Sequence, residues 1–223
     1  MPTASDVWLA TVARRLGDLA SQVVFVGGAT IGLLIDDPAS MPVRPTDDLD
    51  MIVETSSRQR YYELEAELRS RGFQPDSSEG APMCRWTIDG IKVDVMPTSA
   101  EILGFGKIWY ADAISHASEH EIEPGLTIRV ATATYFLAMK LEAFAGRGSG
   151  DYIASHDLED VIALVDGRDS LIVESKHRPR SSANTYRRRS ASSWRPRRSS
   201  MHSPGTFPVT VPARRGSLSC SIG

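Results

Sequence analysis

The chain reads as an α/β fold: a small mixed sheet with helices packed on it and a helical C-terminal region. Two short, β-branched apolar runs, Gln22–Val26 and Leu49–Val53, have the length and composition of buried strands. Two arms of period-2 alternation, Cys84–Ile88 and Ile91–Met96, flank Asp89-Gly90, a favoured two-residue hairpin turn. Between and after these runs the apolar positions recur at helical spacing, which makes the class mixed rather than all-β.

Taken in order, Asp6 can cap a helix whose apolar positions are Val7, Leu9, Val12, Leu16 and Leu19. The strand Gln22–Val26 ends in Gly27-Gly28, and Ala29–Ile35 can form a short helix. After Leu49–Val53, Arg58–Arg71 presents Tyr62, Leu64 and Leu68 as an apolar stripe and stops at Gly72. Beyond the hairpin, Thr132–Ala145 and Ser155–Val165 read as two further helices. This places the sheet within about residues 20–100 and a helical part within about 130–170 of one domain, 1–174.

The chemistry gathers around Arg44-Pro-Thr46-Asp-Asp48-Leu-Asp50. Strand side chains alternate, so Asp48 and Asp50 project from one face with Leu49 on the other. Two carboxylates so placed repel each other unless a cation lies between them, and oxygen ligands of this kind suit Mg²⁺ or Mn²⁺. A solvated acidic turn is the plainer reading. Asp94, flanked by Val93 and Val95, is a carboxylate in an otherwise apolar strand, costly to bury unless it binds a metal or pairs with an arginine, Arg44 or Arg85. The glycines of Gly27-Gly28 and the backbone N–H groups around them would let a phosphate approach closely; the plainer reading is a simple tight turn with no ligand. Lys140, a lone cation among Phe136, Leu137, Met139 and Leu141, either snorkels to the surface or reaches an acidic cleft to meet a triphosphate. Asp157 and Asp160, one helical turn apart, share a face and can cap their helix or pair with Arg147.

Composition divides the chain. Residues 175–223 hold Lys176, ten arginines and twelve serines without any Asp or Glu, a charge of +11, whereas residues 1–174 carry 14 basic against 28 acidic side chains. The tail lacks apolar periodicity and is expected to be disordered. It reads either as a basic arm for nucleic acid or as the Arg/Ser/Pro-rich product of an out-of-frame translation. Cys84 and Cys220 have no partners at zinc-ligand spacing. Neither a bilayer-spanning run nor a signal-peptide pattern is found, so the expected location is the cytoplasm, without a membrane partner.

Gly27-Gly28, Asp48-Leu-Asp50 and the strand-borne Asp94 resemble the signature of the DNA polymerase β-like nucleotidyltransferase superfamily. Gly27-Gly28-Ala-Thr30, Arg44-Pro-Thr46, Lys140-Leu-Glu-Ala143 and Asp157-Leu-Glu-Asp160 more specifically resemble the AbiEii nucleotidyltransferases, toxin components of bacterial type IV toxin–antitoxin systems. The resemblance spans roughly residues 20–170 and departs after Glu174. It implies the polymerase β-like fold and transfer of a nucleoside monophosphate from an NTP to an acceptor hydroxyl, an RNA or tRNA end, with a cognate antitoxin as partner. Asp48, Asp50 and Asp94 would be catalytic and hold Mg²⁺ or Mn²⁺, with Asp94 placed to act as base. Gly27, Gly28, Thr30, Arg44 and Lys140 would bind the nucleotide, and Asp157 and Asp160 would form a fourth motif. An antibiotic-modifying nucleotidyltransferase and a catalytically inactive interaction module are the alternatives.

Overall fold

A computed structural model describes residues 2–37, 42–55, 57–103, 108–147, 152 and 155–176. The strands are β1 (Val23–Val26), β2 (Leu49–Val53), β3 (Gln74–Pro75), β4 (Arg85–Ile88), β5 (Ile91–Pro97), β6 (Ser118–Glu123) and β7 (Leu126–Val130). The helices are α1 (Ala4–Leu16), α2 (Ile31–Leu34), α3 (Arg58–Ser70), α4 (Ala100–Leu103), α5 (Tyr110–Ser115), α6 (Ala133–Arg147), α7 (His156–Gly167) and α8 (Leu171–Lys176).

The seven strands form one mixed sheet in the order β3-β4-β5-β2-β1-β7-β6. β1 runs antiparallel to β2 and parallel to β7, and β2 runs parallel to β5. Side-chain alternation gives the sheet two apolar faces. On one, Phe25, Leu49, Met51, Val93, Val95 and Trp86 pack under α1 and α3; on the other, Val24, Val26 and Ile52 pack under α5, with Trp109, Tyr110 and Ile114. Since Leu49 and Met51 belong to the first face, Asp50 necessarily stands on the second. That parity decides where the chemistry sits.

Several expectations need correction. The cap of α1 is Thr3, not Asp6: its hydroxyl accepts from the Asp6 N–H while the Asp6 carboxylate accepts from the Thr3 N–H, a capping box. Gly17 ends that helix at φ +56°, so Leu19 is buried from a following 3₁₀ turn instead. In α3 the buried aromatic is Tyr61; Tyr62 is 62% exposed. The β6–β7 hairpin and α5 were not expected at all. The β4–β5 hairpin turns at Asp89-Gly90 as expected, with φ +49° and +80°, left-handed values that Gly tolerates freely and Asp more than most residues. Residues 175 and 176, assigned to the tail, complete α8, while residues 177–223, including Cys220, lie outside the described residues. Cys84 is free and buried, and burial pushes its thiol up to about 11. Among the described residues no helix is long and apolar enough to cross a membrane.

Candidate active site

The site forms where the N-terminal end of β2 meets the C-terminal end of β1. Val26 pairs with Asp50, Asp50 with Asp94, and Asp94 with Arg85, so one row crosses β1, β2, β5 and β4. Paired residues project to the same face, which brings Asp50, Asp94 and Arg85 together, and Asp48 reaches them from the bend preceding β2. The three aspartates expected to act together are thus neighbours.

A cation already lies among them, and it belongs to the chain. Arg85 Nε donates to Asp94 Oδ1 at 2.7 Å and its Nη2 donates to Asp94 Oδ2 at 2.8 Å, a bidentate fork, while Nη2 also reaches Asp48 Oδ2 at 2.7 Å. These contacts hold the guanidinium proton well above its ordinary value. Among the described residues Asp50 has no such partner. Burial first, then the like charges of Asp48 and Asp94, push its carboxyl up to about 7, and Lys140 and Arg85 offset this only in part. The row is short of positive charge. Of the two roles the sequence left open for Asp94, the structure displays the ion pair. Among the described residues no group of three His, Cys, Asp or Glu side chains is disposed to hold a metal ion, and the Arg85 guanidinium lies on the oxygens of Asp94 and on one of Asp48. In kind, three hard carboxylates with one guanidinium for counter-charge remain a donor set suited to a divalent cation.

The Gly27-Gly28 turn separates this row from a second cluster. Gly27 has φ +76°, and a Cβ there would fall on the Asp50 carboxylate, so glycine is required twice over. A Cβ on Gly28 would meet Arg44 Nη2 and Asp160 Oδ2 at an ordinary 3.5 Å. Thr30, expected to touch phosphate, is instead fully buried, and its hydroxyl donates to the Gly27 carbonyl at 2.9 Å, clamping the turn.

Arg44 and Lys140, the two cations expected to meet the nucleotide, converge on Asp160. Arg44 Nε donates to Asp160 Oδ1 at 3.0 Å, and Lys140 Nζ lies 2.5 Å from Asp160 Oδ2 and 3.4 Å from Asp157 Oδ1. Asp160 is 1% exposed and the Lys140 side chain only 14%, so the lysine does not snorkel outward. Ser155 caps α7, accepting from the Leu158 N–H, which leaves Asp157 and Asp160 to the cations. The fourth motif is thereby a bridge between α6, α7 and the segment before β2. The Arg147 side chain lies outside the described residues. What the sequence reading undervalued was Arg85, although the Asp89-Gly90 turn dictates its register opposite Asp94.

Solved structures share this architecture. An antigenic nucleotidyltransferase-like protein from Paracoccidioides brasiliensis superposes with a TM-score of 0.52 at 18% identity, over 85% of this chain and 90% of its own. The fold is that of the nucleotidyltransferases. ANT(2")-Ia in complex with adenylyl-2"-tobramycin gives 0.50 at 18% identity, over 84% of this chain and 99% of its own. The solution structure of the same antibiotic-resistance factor gives 0.51 at 18%, over 84% and 95%. No family model and no curated protein matches the chain. Within this nucleotidyltransferase fold, the acidic row lies along adjacent central strands at the edge where β1 ends in its glycine turn.

Proposed function

We propose that the chain is a metal-dependent nucleotidyltransferase that moves a nucleoside monophosphate from an NTP to an acceptor hydroxyl, releasing pyrophosphate. The observation that carries the reading is the row of Asp48, Asp50 and Asp94 beside the Gly27-Gly28 turn, in a fold shared with nucleotidyltransferases.

Asp48, Asp50 and Asp94 would hold Mg²⁺ or Mn²⁺, and the bound ion would supply the counter-charge a polyphosphate needs. The Gly27-Gly28 turn would offer its backbone to a phosphate, and Arg44 and Lys140, poised by Asp160 at the Gly28 side, would add positive charge there. Asp50, whose carboxyl burial and the like charges of Asp48 and Asp94 push up to about 7, would give up its proton on becoming a ligand of the ion. Asp94 is the carboxylate the sequence favours as base, and in the metal-free structure both its oxygens are engaged by Arg85.

The acceptor we favour is an RNA or tRNA end, in the cytoplasm, with the protein acting as a toxin held in check by a cognate antitoxin. This rests on the likeness of the Gly27, Arg44, Lys140 and Asp157 motifs to AbiEii proteins. Two observations support other readings: ANT(2")-Ia, a fold neighbour, is known with an adenylylated aminoglycoside, and an arginine among the aspartates suits an inactive module. One experiment separates them. The full chain is incubated with each α-labelled NTP, Mg²⁺ or Mn²⁺, total RNA and an aminoglycoside panel. Label on RNA is the expected result, and it should vanish in Asp48→Asn and Asp50→Asn. Label on drug alone selects the antibiotic-modifying reading, and no transfer to either acceptor selects the inactive module.

A further inference from the structure

The position of Arg85 has a consequence for how a metal enters. Its guanidinium takes both oxygens of Asp94 and one of Asp48, with all three contacts at 2.7–2.8 Å. Those are oxygens a divalent cation would use, and with both Asp94 oxygens in the fork an inner-sphere ion would have to share them with a guanidinium whose like charge repels it. Charge points the same way. Three carboxylates face a single guanidinium in this row, so the arginine relieves the repulsion without cancelling it, and a dication would relieve more. Arg85 is also able to leave. It lies on β4, outside the central pair β2–β5, its side chain is 18% exposed, and its stem is flexible enough to carry the guanidinium to solvent while β4 stays paired.

We propose that Arg85 is a built-in competitor of the metal: it occupies the divalent site in the metal-free protein and must swing out before Asp48 and Asp94 can bind the ion. The inference rests on the metal-dependent reading above and goes beyond it, because it makes metal entry an exchange of one internal cation for an external one. Apparent metal affinity is then the intrinsic affinity reduced by the fraction of molecules in which Arg85 is out. Removing the guanidinium therefore tightens metal binding, the opposite of what removing a supporting residue does.

The test is calorimetric titration of Mn²⁺ into the full chain and into Arg85→Met, Arg85→Lys and the double variant Arg85→Met/Asp94→Asn. Arg85→Met is expected to bind at least tenfold more tightly than the parent, Arg85→Lys to fall between them because it keeps the charge but loses the fork, and the double variant to lose binding. Equal or weaker binding by Arg85→Met overturns the competitor role and leaves the metal site standing. Absence of binding by both parent and Arg85→Met overturns the metal site, and the competitor role with it. If circular dichroism shows Arg85→Met unfolded, the unmodified protein decides. Its Arg85 Nε–H resonance, assigned by its loss in Arg85→Lys, should be protected from exchange without metal and lose protection as Mg²⁺ is added. A resonance that stays protected throughout the Mg²⁺ titration overturns the proposal.

Discussion

On one side of the Gly27-Gly28 turn three carboxylates face one guanidinium; on the other, Asp157 and Asp160 face Lys140 and Arg44. The side-chain types are the same, and the outcomes differ. In the second cluster Lys140 and Arg44 balance Asp157 and Asp160, with only the exposed Glu159 beyond them at 3.9 Å from Arg44, and its centre, Asp160, is almost wholly buried among its partners. In the first they do not match, and Asp50 responds by holding a proton up to about pH 7. A matched cluster binds three segments of chain together, and an unmatched one stores repulsion that an incoming ligand can discharge. The difference teaches that stability and function can be divided between two faces of one turn.

The largest expected effect tests the matched side. Asp160→Asn leaves Lys140 and Arg44 beside a neutral amide in a buried setting, and breaking such a pair costs roughly 3–5 kcal/mol. Urea unfolding should show it as a lower midpoint at unchanged slope. A loss below about 1 kcal/mol would break the comparison, since the cluster would then contribute no more than an exposed pair.

The unmatched side should respond with the opposite sign. Because the folded-state pKa of Asp50 lies above its unfolded value, the folded state prefers the protonated form. Stability is then fullest below about pH 4, falls as pH rises towards 7, and levels off above. Asp50→Asn removes that slope and, in metal-free buffer at pH 8, should stabilise the protein by roughly 4 kcal/mol, from about 1.4 kcal/mol per pH unit. Thermal melts of both proteins between pH 4 and 8 check it. Parallel curves would show that Asp50 titrates normally.

A smaller effect sharpens the boundary between the two sides. Gly27→Ala adds a Cβ at φ +76° on top of the Asp50 carboxylate and should cost about 1–3 kcal/mol. Gly28→Ala places its Cβ at ordinary contact distance from Arg44 and Asp160 and should cost under about 1 kcal/mol. Melting temperatures of the two variants should therefore separate, and equal shifts would mean that the turn moves as a unit.

Much of the acidic row was legible in the sequence because its geometry is local. Strand parity puts Asp48 and Asp50 on one face, and a two-residue turn at Asp89-Gly90 sets Arg85 opposite Asp94. The matched cluster was not legible as a cluster. Arg44 and Asp160 are 116 residues apart, and the packing of α7 against α2 and α6 brings Asp160 to the segment before β2. The β6–β7 hairpin escaped notice for a different reason. Ser118, Glu119, His120, Glu121 and Glu123 make β6 a polar edge strand, with none of the apolar alternation that marks a half-buried one. In α3 the stripe drawn through Tyr62 is off by one residue from the buried Tyr61, because helical spacing fixes the period of a stripe but not its phase.

The hairpin that carries Arg85 also sets an order of assembly. Arg85 and Asp94 are nine residues apart within one tight hairpin, whereas Asp48 lies 37 residues from Arg85, beyond α3. Hairpins close in about 1–10 μs, and parallel pairing of distant strands waits for the longer loop. Asp94 therefore enters the middle of the sheet with its counter-ion already attached, and β2 docks against a strand whose charge is already shielded. On this order Arg85→Met should slow refolding, while Asp48→Asn should change chiefly the unfolding rate. Stopped-flow refolding that slowed equally in both variants would contradict it. On that order the arginine is a travelling counter-charge, needed while the chain is being assembled, and under the proposed exchange it would become surplus once an external cation took its place.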